Sequence, residues 1–256
     1  MKIEGKVFLV TGAASGLGAV TASHLVAHGA RVILVDMNQQ LGEESAASLG
    51  ENARFVQLDV TDEQAAQQCF AQIQAQEGCL HGLVNCAGIA PSAKVLGREG
   101  PHDLASFSRT LNINVVGTFN MLRLASELMV QNSLDNTEEE RGIIINTASV
   151  AAFDGQIGQA AYSASKGAVA AMTLPIAREL AQHAIRVMTI APGIMATPML
   201  QAMPEKVQQA LGEMVPFPKR MGKPEEFAAL VGHIVENPYL NGEVIRFDGA
   251  IRMAAK

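Results

Sequence analysis

Seven short apolar runs recur along the chain, each separated from the next by a longer segment. The runs are uninterrupted and rich in Val, Ile and Leu, and they occupy residues 7–10, 32–35, 54–58, 82–85, 143–147, 187–191 and 244–247. Such runs are typical of parallel strands that are buried on both faces. Because parallel strands need crossover connections, the pattern predicts a doubly wound α/β fold with about seven strands and helices on both faces.

The segments between the runs predict helices at residues 17–28, 39–49, 62–76, 103–130, 161–182 and 224–236. Asp62 and Pro224 are typical residues for helix starts. We expect surface loops at residues 93–103 and 131–141. Residues 192–218 contain five prolines and four methionines, and this composition predicts an irregular stretch that could act as a mobile lid over the active site. No linker or repeat is visible, so residues 1–256 are expected to form a single domain with a substrate loop near 192–218.

Charge and composition exclude several classes of protein. The formal net charge is −6, from 19 Lys and Arg against 25 Asp and Glu, which argues against a general nucleic-acid-binding protein. No segment offers the ~20 apolar residues of a membrane span, and no signal peptide is visible. The cysteines Cys69, Cys79 and Cys86 show neither a paired nor a metal-binding spacing. The sequence therefore predicts a cytoplasmic protein with free thiols and no metal site.

The first strand leads directly into a glycine-rich loop, Thr-Gly-Ala-Ala-Ser-Gly-Leu-Gly, at residues 11–18. Gly12, Gly16 and Gly18 would allow a tight turn and a close approach to a pyrophosphate, and the helix that follows would present its N–H groups. Its place after a strand and before a helix indicates a dinucleotide-binding Rossmann-type domain.

Further candidate cofactor contacts lie at the ends of the next three strands. Asp36 can bind adenosine ribose hydroxyls and would repel a 2′-phosphate, and no Arg follows it, so NAD is predicted over NADP. Its alternative role is that of a solvated turn residue. The third and fourth strands end at Asp59, Val60, Asn85, Cys86, Ala87 and Gly88. Each of these residues could equally belong to a turn.

A tyrosine and a lysine one helical turn apart are the candidate catalytic pair. Tyr162 and Lys166 would lie on the same face of a helix, after a strand that leads to Ser149. An ammonium beside a phenol lowers the phenol pKa, so Tyr162 could exchange a proton with an alcohol as hydride is transferred. Ser149 could stabilise charge on the substrate oxygen. An isolated pair of this kind would more often be a surface Tyr packed on a Lys side chain.

These motifs together resemble the short-chain dehydrogenase/reductase family, in order and over nearly the whole chain. The resemblance rests on the glycine loop, Asn-Cys-Ala-Gly, Asn-Val-Val-Gly-Thr, Ser149, Tyr162 with Lys166, and Pro192-Gly193. It implies a catalytic tetrad of Asn114, Ser149, Tyr162 and Lys166. Asn114 would help to hold a water and Lys166 in a proton relay, and Lys166 would also bind the nicotinamide ribose.

Within the family, several segments closely resemble a subfamily that oxidises short and 2-methyl-branched 3-hydroxyacyl-CoA thioesters with NAD and accepts some hydroxysteroids. These segments include Ile-Arg-Val-Met-Thr-Ile-Ala-Pro-Gly. The resemblance implies that Gln156 lies near the substrate and that NAD is contacted by Ser15, Leu17, Asp36, Asp59, Val60, Cys86 and Thr197.

The resemblance also implies a homotetramer. Alternatives to the acyl-CoA activity are a hydroxysteroid or general secondary-alcohol dehydrogenase, an NADPH-linked 3-oxoacyl-carrier-protein reductase, and a catalytically silent dinucleotide-binding regulator. Candidate basic residues for CoA are Lys94, Arg98, Lys206 and Lys219, which could equally be solvated surface charges.

Overall fold

All seven predicted strands occur in the computed structural model, which describes residues 1–134 and 140–255. Together with two further short strands, they are β1 (Val7–Thr11), β2 (Arg31–Asp36), β3 (Ala53–Gln57), β4 (Gly82–Asn85), β5 (Leu96–Gly97), β6 (Gly100–Pro101), β7 (Gly142–Thr147), β8 (Ile185–Pro192) and β9 (Val244–Phe247). The seven longer strands form one parallel sheet in the order β3-β2-β1-β4-β7-β8-β9. The predicted sheet is confirmed.

Helices cover both faces of this sheet. They are α1 (Gly16–Ala27), α2 (Gln39–Leu49), α3 (Glu63–Glu77), α4 (Leu104–Leu111), α5 (Thr118–Met129), α6 (Ala160–Ala181), α7 (Pro198–Gln201), α8 (Glu205–Glu213) and α9 (Pro224–Glu236). Asp62 caps α3 by accepting a hydrogen bond from the Ala65 N–H, as its position predicted. No helix among the described residues is long and apolar enough to cross a lipid bilayer.

The core consists of two apolar layers, one on each face of the sheet. Because successive side chains of a strand point to opposite faces, neighbouring residues of β1 belong to different layers. Leu9 packs in the layer that includes Ile73 of α3, whereas Val10 packs in the layer that includes Phe227 of α9. With both faces covered, the carboxyl edge of the sheet remains the place where a ligand can approach the strand ends.

Three sequence expectations need correction. Residues 192–218 are only partly irregular, because they contain α7 and α8, which start at Pro198 and directly after Pro204. Residues 93–103 are not a plain loop, since β5 and β6 pair as a short antiparallel ladder. The helix predicted over 103–130 is interrupted by a π-helical turn at Asn112–Gly117, which the apolar pattern does not reveal. Part of the loop predicted at 131–141 lies outside the described residues.

Candidate active site

A cavity of about 670 Å³ opens at the carboxyl edge of the sheet. It is bordered by segments that follow β1, β2, β3, β4, β7 and β8, so residues far apart in sequence meet there. The predicted site residues that line it are Gly12, Ser15, Gly16, Leu17, Gly18, Asp36, Asp59, Val60, Cys86, Ala87, Gly88, Ser149, Gln156, Tyr162, Lys166, Pro192, Gly193 and Thr197. Asn85 and Asn114 do not line this cavity.

The glycine loop is packed too closely for side chains. Gly12 has a positive φ of 65°, and a Cβ there would lie 2.8 Å from the Ala87 nitrogen. A Cβ on Gly18 would lie 2.2 Å from the Gly12 carbonyl oxygen. A larger residue at Gly12 would displace the loop from the segment after β4, and one at Gly18 would displace the start of α1 from the loop.

The amino end of α1 fits an anionic group of a cofactor. The Ser15 side chain makes no capping hydrogen bond, and the first turn of α1 has no acidic residue. Ser15, Gly16, Leu17 and Gly18 line the cavity, so the uncapped N–H groups of the first turn face it. A helix N-terminus that no side chain satisfies is suited to a phosphate. The pyrophosphate of a dinucleotide fits this observation.

The carboxylates at the ends of β2 and β3 are held in place by local hydrogen bonds. Asp36 accepts from the N–H groups of Ala14 (3.1 Å) and Asn38 (3.0 Å), which ties the end of β2 to the glycine loop. Asp59 accepts from the N–H (2.9 Å) and the hydroxyl (2.8 Å) of Thr61. Both residues line the cavity in fixed orientations.

The end of β4 is held by a threonine that the sequence reasoning did not single out. The Thr11 hydroxyl oxygen accepts from the N–H groups of Cys86 and Ala87, both at 3.1 Å. Asn85 is buried and donates to the Asn146 side chain at 2.9 Å, so its role is to join β4 to β7 rather than to border the cavity. The only available signal was the place of Thr11 at the end of a strand.

Cys86 is a partly buried thiol whose pKa is raised, and it is not a reactive one. Burial raises its pKa to about 11, and this effect outweighs a hydrogen bond from the Thr147 hydroxyl (3.5 Å) and the nearby Lys166. Because the thiolate is the nucleophilic form, Cys86 stays protonated and unreactive near neutral pH. Its location in the cavity is compatible with the predicted contact to a cofactor.

Ser149 and Tyr162 form the polar centre of the cavity. Ser149 follows β7 at the start of a 3₁₀ turn, Val150–Ala152, and its hydroxyl accepts from the Ala151 N–H at 3.1 Å. Tyr162 lies in the first turn of α6, and its hydroxyl is close enough to the Ser149 side chain for Ser149 to lower the phenol pKa. The loop between the two residues carries Gln156, which also lines the cavity.

Lys166 lies one turn along α6, with its ammonium nitrogen 5.9 Å from the centre of the Tyr162 ring. The ammonium is buried and donates to the Thr147 carbonyl oxygen at 2.7 Å. Burial lowers the pKa of Lys166 to about 8. The remaining N–H groups of this ammonium are suited to bind oxygen atoms in the cavity.

The sequence predicted a lowered pKa for Tyr162, and this prediction is wrong when only the residues of this chain act on the phenol. Burial raises the pKa of Tyr162, and the hydrogen bond with Ser149 opposes this rise only in part. The sequence shows that a cation is one helical turn away, but it does not show how strongly the phenol is desolvated. The phenol therefore keeps its proton at neutral pH.

Asn114 holds three segments together beneath the cavity. Its side chain accepts from the Ile89 N–H (2.8 Å) and donates to the Ile89 carbonyl (2.8 Å) and to the Ser165 hydroxyl (2.9 Å). A Cβ on Gly88 would lie 3.0 Å from Asn114 Oδ1 and 3.6 Å from Lys166 Nζ. The geometry makes Asn114 a positioning residue, which joins the π-helical turn to α6 and to the segment after β4.

The fold and this site define a class of enzyme. A family model described as short chain dehydrogenase matches residues 6–208, and the chain belongs to this family. Membership makes it an oxidoreductase and, with the Rossmann-type fold, implies a nicotinamide dinucleotide cofactor. The resemblance predicted from the motifs is confirmed.

Particular relatives are similar over almost the whole chain. The protein is 53% identical to 3-hydroxyacyl-CoA dehydrogenase type-2 of Homo sapiens, over 98% of this chain and 97% of the relative. It is also 53% identical to the protein of the same name from Drosophila melanogaster, over 98% of this chain and 99% of the relative. The crystal structure of 3-hydroxyacyl-CoA dehydrogenase type-2 from Mycobacterium avium has a TM-score of 0.92 and 36% identity, and the match covers 100% of this chain and 98% of that one.

Proposed function

We propose that the protein interconverts 3-hydroxyacyl-CoA and 3-ketoacyl-CoA thioesters, of short or 2-methyl-branched chains, with NAD(H). The observation that carries this proposal is the 53% identity to relatives named for that activity, over 98% of the chain. The cavity supplies the groups that the reaction needs, since Ser149, Tyr162 and Lys166 all line it.

The proposed mechanism is a proton transfer coupled to hydride transfer. Residues of the glycine loop, Asp36 and Lys166 would hold the dinucleotide, which would supply hydride acceptance in oxidation, hydride donation in reduction and a positive charge in its oxidised form. Ser149 holds the substrate oxygen, and in reduction Tyr162 donates its phenol proton to that oxygen. In oxidation the reverse step needs the phenolate form of Tyr162, which the nearby Lys166 ammonium and a positively charged cofactor would favour. Because burial raises the pKa of Tyr162, the phenol is ready to donate at neutral pH. Lys166 binds cofactor hydroxyls and stabilises the phenolate.

We propose NAD rather than NADP because of Asp36. Its carboxylate is fixed by two N–H groups at the edge of the cavity, where it would repel a 2′-phosphate. Replacing Asp36 with Ala is expected to lower kcat/KM for NAD by about tenfold and to raise kcat/KM for NADP, as measured by initial rates with each cofactor. A matched control is Asp103→Ala, which removes an exposed helix cap away from the cavity. An unchanged ratio of the two cofactors in Asp36→Ala would contradict this role.

Lys94 is the candidate cation with the best position for CoA. It lines a second cavity of about 390 Å³, which adjoins the first because Gln156 and Gln159 line both. The other candidates, Arg98, Lys206 and Lys219, line neither cavity. Replacing Lys94 with Ala is expected to raise KM for the CoA thioester several-fold and to leave kcat unchanged. A several-fold rise corresponds to the loss of one exposed charge–charge contact with the substrate. Lys2→Ala, at another exposed lysine, is the control. An unchanged KM in Lys94→Ala would remove this residue from the CoA site.

The function is tested by NADH formation with 3-hydroxybutyryl-CoA, its 2-methyl homologue and a 17β-hydroxysteroid, each with NAD and with NADP. Strong turnover of the thioesters with NAD is the expected result. Turnover of the steroid alone would favour the hydroxysteroid alternative, and a preference for NADP would overturn the cofactor proposal. Tight NADH binding without turnover of any substrate would contradict the proposed activity and would leave the silent regulator to be tested.

The homotetramer and the cytoplasmic location remain predictions from the sequence. The tetramer is tested by sedimentation at micromolar concentration, where the expected mass is four times that of the 27.0 kDa chain. A monomer at that concentration would refute it.

A further inference from the structure

The carboxyl-terminal residues fold back onto the loop that joins Ser149 to Tyr162. The Ile157 N–H donates to the Ala255 carbonyl oxygen at 3.0 Å, and the Gln156 side-chain amide donates to the Ala254 carbonyl oxygen at 3.2 Å. Met253 precedes these two contacts and lines the large cavity. The end of the chain is therefore part of the cavity wall.

The guanidinium of Arg246 holds together the loop between Ser149 and Tyr162 and the carboxyl-terminal tail, residues 251–255. Arg246, in β9, donates to the Asp154 carboxylate at 2.6 Å, to the Asp248 carboxylate at 2.8 Å and to the Ile251 carbonyl oxygen at 3.1 Å. It also lies 5.3 Å from the centre of the Phe153 ring. Ile251 is buried, with 1% of its surface exposed, so it anchors the tail just before Met253. The hydrogen bonds to Ala254 and Ala255 anchor the tail just after Met253.

Met253 lies at the substrate end of the cavity. The tail contacts the loop that carries Gln156, between the two residues that would bind the substrate oxygen. Most of the residues suited to the dinucleotide come instead from the segments that follow β1, β2, β3 and β4. Leu200 of α7 and Leu211 of α8 also line the cavity and supply apolar surface.

We propose that Met253 forms a wall of the acyl pocket and sets the length of acyl chain that the enzyme accepts. This inference rests on the proposed function. A thioether side chain on an anchored backbone presents a flexible apolar surface to a hydrocarbon chain. Shortening the side chain opens volume for additional methylene groups, and a bulky ring removes volume.

The test compares Met253→Ala and Met253→Phe with the unmodified enzyme, using 3-hydroxybutyryl-CoA and 3-hydroxyoctanoyl-CoA with NAD. The Ala variant is expected to raise the ratio of kcat/KM for the longer over the shorter substrate by about tenfold, and the Phe variant to lower it by a similar factor. Met214→Ala, at an exposed methionine outside the cavity, should leave the ratio unchanged. The Kd for NADH should be unchanged in all three variants.

A chain that ends after Ile251 should behave like Met253→Ala, since it lacks both the wall and its anchors. If this truncated chain fails to fold, the two substitutions still decide the question. Equal ratios in the Ala, Phe and unmodified enzymes would overturn the inference, and so would a change confined to the Kd for NADH. Failure of the proposed function would look different, because the unmodified enzyme would then turn over neither thioester.

Discussion

Replacing Tyr162 with Phe is expected to lower kcat for oxidation of a 3-hydroxyacyl-CoA by about 10³-fold, within the range of general acid–base catalysis. The phenol oxygen is the group that would exchange the substrate proton, and Ser149 lies near enough to lower its pKa. The ring itself stays in place in the variant, so the Kd for NADH should change by less than about twofold. Steady-state rates and NADH fluorescence titration measure the two quantities.

The chain provides a matched control, since its only other tyrosine is Tyr239, whose exposed fraction is 97%. Tyr239→Phe should leave kcat and the Kd for NADH unchanged. Turnover of Tyr162→Phe at the rate of the unmodified enzyme would exclude Tyr162 as the acid and base. An equal loss in both variants would point to an effect on stability instead.

Replacing Lys166 with Met is expected to lower kcat/KM for reduction of a 3-ketoacyl-CoA by about 10²-fold or more, since a buried cation beside the reacting groups is removed. The change should also alter the pH profile. Lys166 has a pKa of about 8, so in the unmodified enzyme the rate of reduction should fall as the pH rises through that value and the ammonium loses its proton.

The direction of this pH dependence distinguishes titration of Lys166 from titration of Tyr162. Burial raises the pKa of Tyr162 above its ordinary value, so the phenol stays protonated near pH 8 and cannot cause the decline. The Lys166→Met enzyme should therefore show no decline near pH 8, whereas Lys2→Met should retain it. A decline that persists in Lys166→Met would assign the titration to a different group.

Most of the fold could be predicted because its strands are encoded locally. The apolar runs at β4 and β9 were predicted with the bounds that the structure shows, since strands buried on both faces stand out against polar connections. The short helix α8 was missed because Pro204 and the prolines that follow it suggested an irregular stretch. The π-helical turn at Asn112–Gly117 was missed because it continues the apolar pattern of its neighbours.

Most of the residues that line the cavity could also be predicted from the sequence. The glycine loop, Asp36 and the Tyr162–Lys166 pair are defined by spacing and by their places at the ends of strands, and all line one cavity. Met253 carries no signal of this kind, and the place of Thr11 at the end of a strand does not reveal its contacts with the distant segment after β4. Asn114 was expected to help hold a water and Lys166, and that role stays a prediction; the structure places it outside the cavity, bonded to Ile89 and Ser165.

The sequence by itself determined the seven long strands, most of the longer helices, the family, and the residue types at the carboxyl edge of the sheet. These depend on periodicity and spacing, which are properties of neighbouring residues. Only the tertiary structure decided that the phenol pKa is raised, that Asn114 is buried, and that Met253 lines the cavity. Burial and contacts between remote segments arise when the whole chain is packed, so no local pattern records them.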